Sequence, residues 1–117
     1  MTITRIKTNK RMSQAVVHGG LVYLAGQVAL EAPGADVETQ TAAILGQIDR
    51  LLDEAASSKE TILSATVWLV SMEDFAAMNS VWDAWIPEGA APARACVEAR
   101  LASPDYTVEI AVIAAVE

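Results

Sequence analysis

The segment TVEIAVIAAV (107–116) is apolar at both odd and even positions, and Glu109 is its one charged residue. A strand with one wet face alternates between apolar and polar side chains. A strand apolar on both parities must be covered on both faces. Helices of the same chain cover one face of such a sheet. The second face needs another cover, and a further subunit is the expected one. A carboxylate inside this strand stands out for the same reason.

The other elements follow from periodicity and punctuation. Residues 2–8 alternate and are rich in β-branched types, which predicts a first strand. QAVVHG (14–19) predicts a second and LVYLAGQVAL (21–30) a third, with Gly19–Gly20 as the hairpin turn. After the loop 31–36, Asp36 or the residue before it starts a helix. Its apolar face is Ile44, Ile48, Leu51, Leu52 and Ala55, it ends near Ser57–Ser58, and Asp49, Asp53 and Glu54 are expected as solvated surface. KETIL predicts a short turn, and SATVWLVS (64–71) a strand in which Trp68 packs. Ser71 is the expected N-cap of a second helix, with Glu73 and Asp74 in its first turn. Phe75, Met78, Trp82 and Trp85 form its apolar stripe, and Pro87 and Gly89 end it. Strands at 94–101 and 107–116, joined by a turn around Pro104–Asp105, complete the order β-β-β-α-β-α-β-β. The expectation is one α+β domain over 1–117, with two helices on one face of a mixed or antiparallel sheet.

Composition excludes several classes of function. The chain has 15 acidic and 8 basic residues, a net charge of −7. Nucleic-acid binding needs clustered Lys and Arg, and the one local group is Arg5, Lys7, Lys10 and Arg11. Cys96 is the only cysteine, so no internal disulfide is possible, and His18, the only histidine, is expected in solvent beside the turn. That leaves no metal-ligand constellation, and no cofactor is expected. No apolar signal core or membrane-length run is present, so a cytoplasmic protein with no membrane partner is expected. A hydrophobic share of 53% supports a real core and fits apolar surface buried between subunits.

Chemistry concentrates near the C-terminus. In APARACVEARL (91–101), Arg94, Cys96, Glu98 and Arg100 share one parity. Arginine offers a planar fork for a carboxylate. A partly buried glutamate such as Glu109 can orient or deprotonate a water. If the last two strands lie near each other, both side chains reach one pocket. The same two residues fit a structural ion pair equally well. Cys96 has no histidine near it in sequence to activate it and reads as a wall residue. Glu98 and Arg100 read as an exposed pair or interface contacts. Asn79, beside the aromatic stripe, is a candidate hydrogen-bonding group toward a loop or neighbouring subunit.

PARACVEARL followed by YTVEI resembles the C-terminal signature of the Rid family, the YjgF-like reactive intermediate deaminases. SQAVVHGGLVYLAGQVAL (13–30) is similar to the family's N-terminal hairpin, and residues 40–85 to its helix-strand-helix middle. The fifteen-residue spacing of Arg94 and Glu109 fits as well. The middle and end especially resemble a bacterial branch typified by YoaB. The resemblance implies a chorismate-mutase-like fold and a homotrimer whose sheets surround a central barrel, with clefts between subunits. It implies that Arg94 holds the carboxylate of an enamine or imine acid. Glu109 would position the water that releases ammonia and leaves a 2-oxo acid, Cys96 would line the cleft, and Asn79 is a further signature residue.

Two positions depart from the pattern of active members. Met12 stands where they carry a tyrosine, and Ala25, in the block LAGQ, where they carry a serine. With Gly26 of the same block, these positions are expected to border the substrate. The missing hydroxyls imply a slower enzyme or a more apolar substrate. Three functions follow as alternatives: deamination, non-catalytic binding of a 2-oxo acid, and a chaperone-like or regulatory interaction.

Overall fold

The computed structural model describes residues 2–117; Met1, with which the expected domain begins, lies outside them. The strands are β1 (Thr4–Thr8), β2 (Ser13–His18), β3 (Leu21–Leu24), β4 (Ile62–Leu69), β5 (Ala93–Glu98) and β6 (Val108–Ala115). The helices are α1 (Val37–Glu54), between β3 and β4, and α2 (Phe75–Trp85), between β4 and β5. The expected element order holds. One six-stranded sheet runs β1-β2-β3-β6-β4-β5, antiparallel throughout except for the parallel pair β4–β5. None of the described helices is long and apolar enough to cross a membrane.

Local chemistry sets the boundaries. Gly19 and Gly20 both take positive φ, 61° and 80°, as a two-residue hairpin turn requires. Asp36 caps α1 by accepting from Thr39 N at 2.8 Å. The end of α1 is marked by Ala56 at φ 59°, after which Ser57 N returns to Leu52 O. Ser71 Oγ accepts from Glu73 N and starts a 3-10 turn, Met72–Asp74, that leads into α2. The residue before Pro87 is disfavoured from helical backbone, and α2 stops at Trp85.

Three strand predictions need correction. The third strand ends at Leu24 rather than residue 30. Tyr23 pairs with Ile113 and Gln27 with Ile110, so one extra residue sits on the β3 side and the chain bulges at 24–26. β4 begins and ends two residues earlier than expected, and β5 stops at Glu98 rather than continuing to Leu101. Periodicity alone does not show where ladder partners run out. The expected pairing of Glu98 with Arg100 is absent: Glu98 Oε1 instead accepts from Met72 N at 3.0 Å. Asp49 is not idle surface either, because it accepts from Trp85 Nε1 at 3.0 Å.

β6 lies between β3 and β4. Val108, Ile110, Val112 and Ala114 face the core formed with Ile44, Ile48 and Leu52 of α1. Glu109, Ala111 and Ile113 face the other way, in rows with Trp68, Thr66, and Tyr23 and Ser64. Tyr23 is 43% exposed on this side. A shallow cleft of about 210 Å³ is lined there by Tyr23, Ser64, Thr66, Ala111 and Ile113. The chain's helices thus cover one face of β6, and the second face is open in the single chain.

One buried side chain ties the helix layer to the start of β6. Gln40 is fully buried; its Nε2 donates to Ala35 O and Asp105 O, and its Oε1 accepts from Thr107 N, each at 2.9 Å. Replacing it with leucine leaves Ala35 O and Thr107 N without these partners, while Asp105 O keeps Gly34 N as its donor. Gln40→Leu is expected to cost about 1–3 kcal/mol, measured as a lower urea midpoint at unchanged slope.

Candidate functional site

Arg94 sits on β5, the edge strand beyond β4, opposite Ala65, which is buried under the helices. α2 supplies its surroundings. Phe75, Met78, Asn79 and Trp82 recur at the helical spacing that puts side chains on one face. Arg94 Nη2 donates to Asn79 Oδ1 at 2.8 Å, and Nη1 lies 3.9 Å from Met78 Sδ. The guanidinium carbon is 5.2 Å from the centre of the Trp82 ring and 6.0 Å from that of Phe75. Each such ring contact contributes about 0.5–2 kcal/mol. The aromatic stripe is therefore only partly the core face expected of it: Trp82 is buried, whereas Phe75 is 37% exposed. Asn79 has a definite role, aiming the guanidinium.

The one ion pair among the described residues is Lys7–Glu54, at 3.2 Å. Arg94 thus has no carboxylate partner there, and within the single chain it forms no ion pair with Glu109. An arginine carries five N–H donors, and the contact with Asn79 uses one. A half-buried cation oriented by a neutral amide is suited to accept an anion.

Cys96 shares Arg94's face, opposite Val67. Burial pushes its thiol above the ordinary value, and the nearby Arg94 charge offsets only part of that. A thiol of this kind stays protonated at neutral pH and is a poor nucleophile.

Glu109 lies elsewhere. It sits on β6 opposite Trp68, which is opposite Val97. Arg94 is in register with Ala65, three residues before Trp68. An odd offset along a pleated strand means opposite faces. Arg94 points to the helix side and Glu109 to the open side. The condition that the last two strands pair is not met, because β4 separates them, and within one chain the two side chains do not share a pocket.

The bulge after β3 provides Glu109 with its neighbours. A Cβ built on Gly26 would overlap Glu109 Oε2 and stand 2.9 Å from Cδ. The absence of a side chain at Gly26 leaves the space that the Glu109 carboxylate occupies. Ala25 N donates to Gln14 O at 2.9 Å, beside Gly26. Met12, 39% exposed, stands two residues before Gln14, at the same end of the hairpin. The candidate residues fall into two groups: Arg94, Asn79 and Cys96 on the helix side, and Glu109 with Gly26 on the open side, with Ala25 next to Gly26 in the bulge and Met12 two residues before Gln14, the partner of Ala25. Sequence reasoning missed the contribution of Phe75 and Trp82 to the first group and of buried Gln27 and Gln47 behind the second. The signal for the glutamines was polar residues in otherwise apolar stretches.

Comparison with known proteins yields close relatives. The family described as Endoribonuclease L-PSP matches residues 2–116. The RutC family protein YoaB of Escherichia coli is 47% identical over 116 residues, 99% of this chain and 100% of that protein. A crystal structure of a YjgF family member from Neisseria meningitidis is 47% identical, with TM-score 0.96 over 100% of this chain and 97% of that one. A protein of the Rid family from Yersinia pestis, YyfA, is 27% identical with TM-score 0.88, over 98% and 100% of the two chains.

Gly26→Ala is expected to displace the Glu109 carboxylate with little loss of stability, because the atoms a Cβ would meet are the far end of a flexible side chain. The Glu109 carboxyl carbon resonance checks the displacement, and an unmoved resonance would contradict the contact.

Proposed function

The chain belongs to the Endoribonuclease L-PSP family, the YjgF-like and Rid-type proteins, and we propose that it hydrolyses reactive enamines and imines of small carboxylic acids. The observation that carries this reading is the Arg94 guanidinium, aimed by Asn79 and free of any carboxylate among the described residues. It takes the substrate carboxylate through paired N–H donors. Glu109 accepts a proton from water as the oxygen attacks the imine carbon. That proton passes to the nitrogen to give a carbinolamine. The carbinol hydroxyl proton then follows it through Glu109 as the C=O bond forms, the C–N bond breaks, and ammonia and a 2-oxo acid leave. The imine carbon is already electrophilic, so orientation and proton transfer suffice.

Two half-sites on opposite faces cannot meet around one small molecule within one chain. The proposal therefore places each site between copies, with Arg94, Asn79 and Cys96 from one and Glu109, Gly26, Ala25 and Met12 from the next. A homotrimer closing the open face of β6 provides this arrangement. It also covers the apolar row of Ala111 and Ile113.

Non-catalytic binding of a 2-oxo acid is the second reading. Ala25 and Met12 favour it, since neither offers a hydroxyl to hold water beside Glu109. RNA as substrate is opposed by the net charge of −7.

With an imine generated in situ by an amino-acid oxidase, the wild-type protein is expected to accelerate imine loss. Arg94→Ala is expected to lose that acceleration. Equal rates for the two proteins would refute deamination at this site, and pyruvate binding without turnover would support the second reading. Co-refolding Arg94→Ala with Glu109→Gln is expected to restore part of the rate, because some interfaces then carry both intact half-sites. No recovery from folded mixed oligomers would rule out a site shared between copies.

A further inference from the structure

We infer that Gln27 and Gln47 are positioning residues for Glu109, acting through a one-way relay of amide hydrogen bonds that fixes the bulge after β3. The inference rests on the reading of Glu109 as the group that places water.

Both glutamines are buried, Gln27 at 4% exposure and Gln47 at 9%. Buried amides are costly unless they are bonded. Gln27 Nε2 donates to Gln14 Oε1 at 2.9 Å and to Ala25 O at 3.0 Å. Gln47 Nε2 donates to Gln27 Oε1 at 3.2 Å and to Val28 O at 2.9 Å. Gln47 Oε1 accepts from Leu30 N at 3.2 Å. The direction of each amide is settled by backbone groups that cannot exchange roles. Flipping Gln27 would set its oxygen against Ala25 O. Flipping Gln47 would set oxygen against Val28 O and an NH₂ group against Leu30 N–H. The relay has one orientation.

It does what a strand ladder would otherwise do. Past Leu24 the chain leaves regular pairing, and the bond pair between Gln27 and Ile110, at 2.8 and 3.1 Å, is its remaining bridge to β6. The carbonyls of Ala25 and Val28 and the amide of Leu30 need other partners. Gln27 and Gln47 supply them, and Gln47 comes from the interior of α1, a rigid base. The segment held this way carries Gly26, whose missing side chain leaves the space occupied by the Glu109 carboxylate. A shift of the bulge moves the wall against which that carboxylate rests. Apolar residues at 27 and 47 would fill the core equally well but would leave the bulge unbraced.

The test separates positioning from stability. Gln27→Met takes one partner from the Gln47 amide and leaves Ala25 O without its donor, so stability falls. The double variant Gln27→Met/Gln47→Met keeps the volume nearly constant but also strands Val28 O and Leu30 N–H, so it is less stable still. A purely structural role predicts wild-type kcat from the folded fraction of the double variant, assayed below its unfolding transition. The inference predicts that kcat in the double variant stays down roughly 10- to 100-fold. Affinity for pyruvate, the probe for Arg94, is expected to stay unchanged. It also predicts lost hydrogen-exchange protection at the backbone N–H of position 27, with Val112 N–H still protected. Wild-type kcat or wild-type protection at position 27 in the double variant overturns the inference. If the wild-type protein turns over no imine, the deaminase reading falls, and exchange at position 27 alone decides for or against the relay.

Discussion

The rest of the structure depends on burial of β6. Its core-facing row of Val108, Ile110, Val112 and Ala114 is covered by α1, and its neighbours β3 and β4 take up its backbone groups on both edges. Fully burying a medium apolar side chain contributes roughly 1.5–3 kcal/mol, so this row is a large share of what holds the layers together. Because β6 is central and rigid, Glu109 is presented from a fixed backbone. Gln40 sharpens this by bonding both the turn before β6 and the residue that leads into it.

The helix layer has a second task at the opposite edge of the sheet. β5 runs parallel to β4 because α2 carries the chain back across the sheet between them. The same helix then lies beside the strand it delivered and sets Asn79, Trp82 and Phe75 around Arg94. The crossover that makes β5 possible also makes the Arg94 half-site. Positioning costs little here, since the stripe that buries Met78 and Trp82 in the core extends to the guanidinium.

Much of this was legible in the sequence. Alternation and helical spacing located every element, and the double apolarity of 107–116 marked the central strand. Glu109 stood out as a carboxylate in an apolar strand, Asn79 as a polar residue beside the aromatic stripe, and Arg94 by its place on the polar parity of its strand. Adjacency was not legible: the last two strands are neighbours in sequence, yet β4 lies between them, because sheet order is set by crossover geometry rather than chain order. The face of Glu109 relative to Arg94 depends on register, where a single residue reverses the outcome. The bulge at 24–26 was hidden because LVYLAGQVAL alternates well enough to read as one strand. Gln27 and Gln47 stand as polar residues in apolar stretches, but that signal does not say which groups they bond, since their partners come from segments distant in sequence.

Placing Arg94 and Glu109 on opposite faces of one chain has a chemical consequence. In a shared pocket of a single chain, the guanidinium and carboxylate would lie within reach before any ligand arrived. They would tend to close into an ion pair, and an entering substrate would have to break it. Separated by the sheet, neither can neutralise the other within the chain. The guanidinium is held instead by a neutral amide and two rings, and the carboxylate rests in the space left by Gly26. In the proposed site between copies, their approach is set by rigid subunit packing rather than by side-chain attraction. That geometry keeps room for a substrate and a water between them. The bulge brace matters for the same reason: if Glu109 could swing freely, it would drift toward the cation across the interface and fill the space that the water needs.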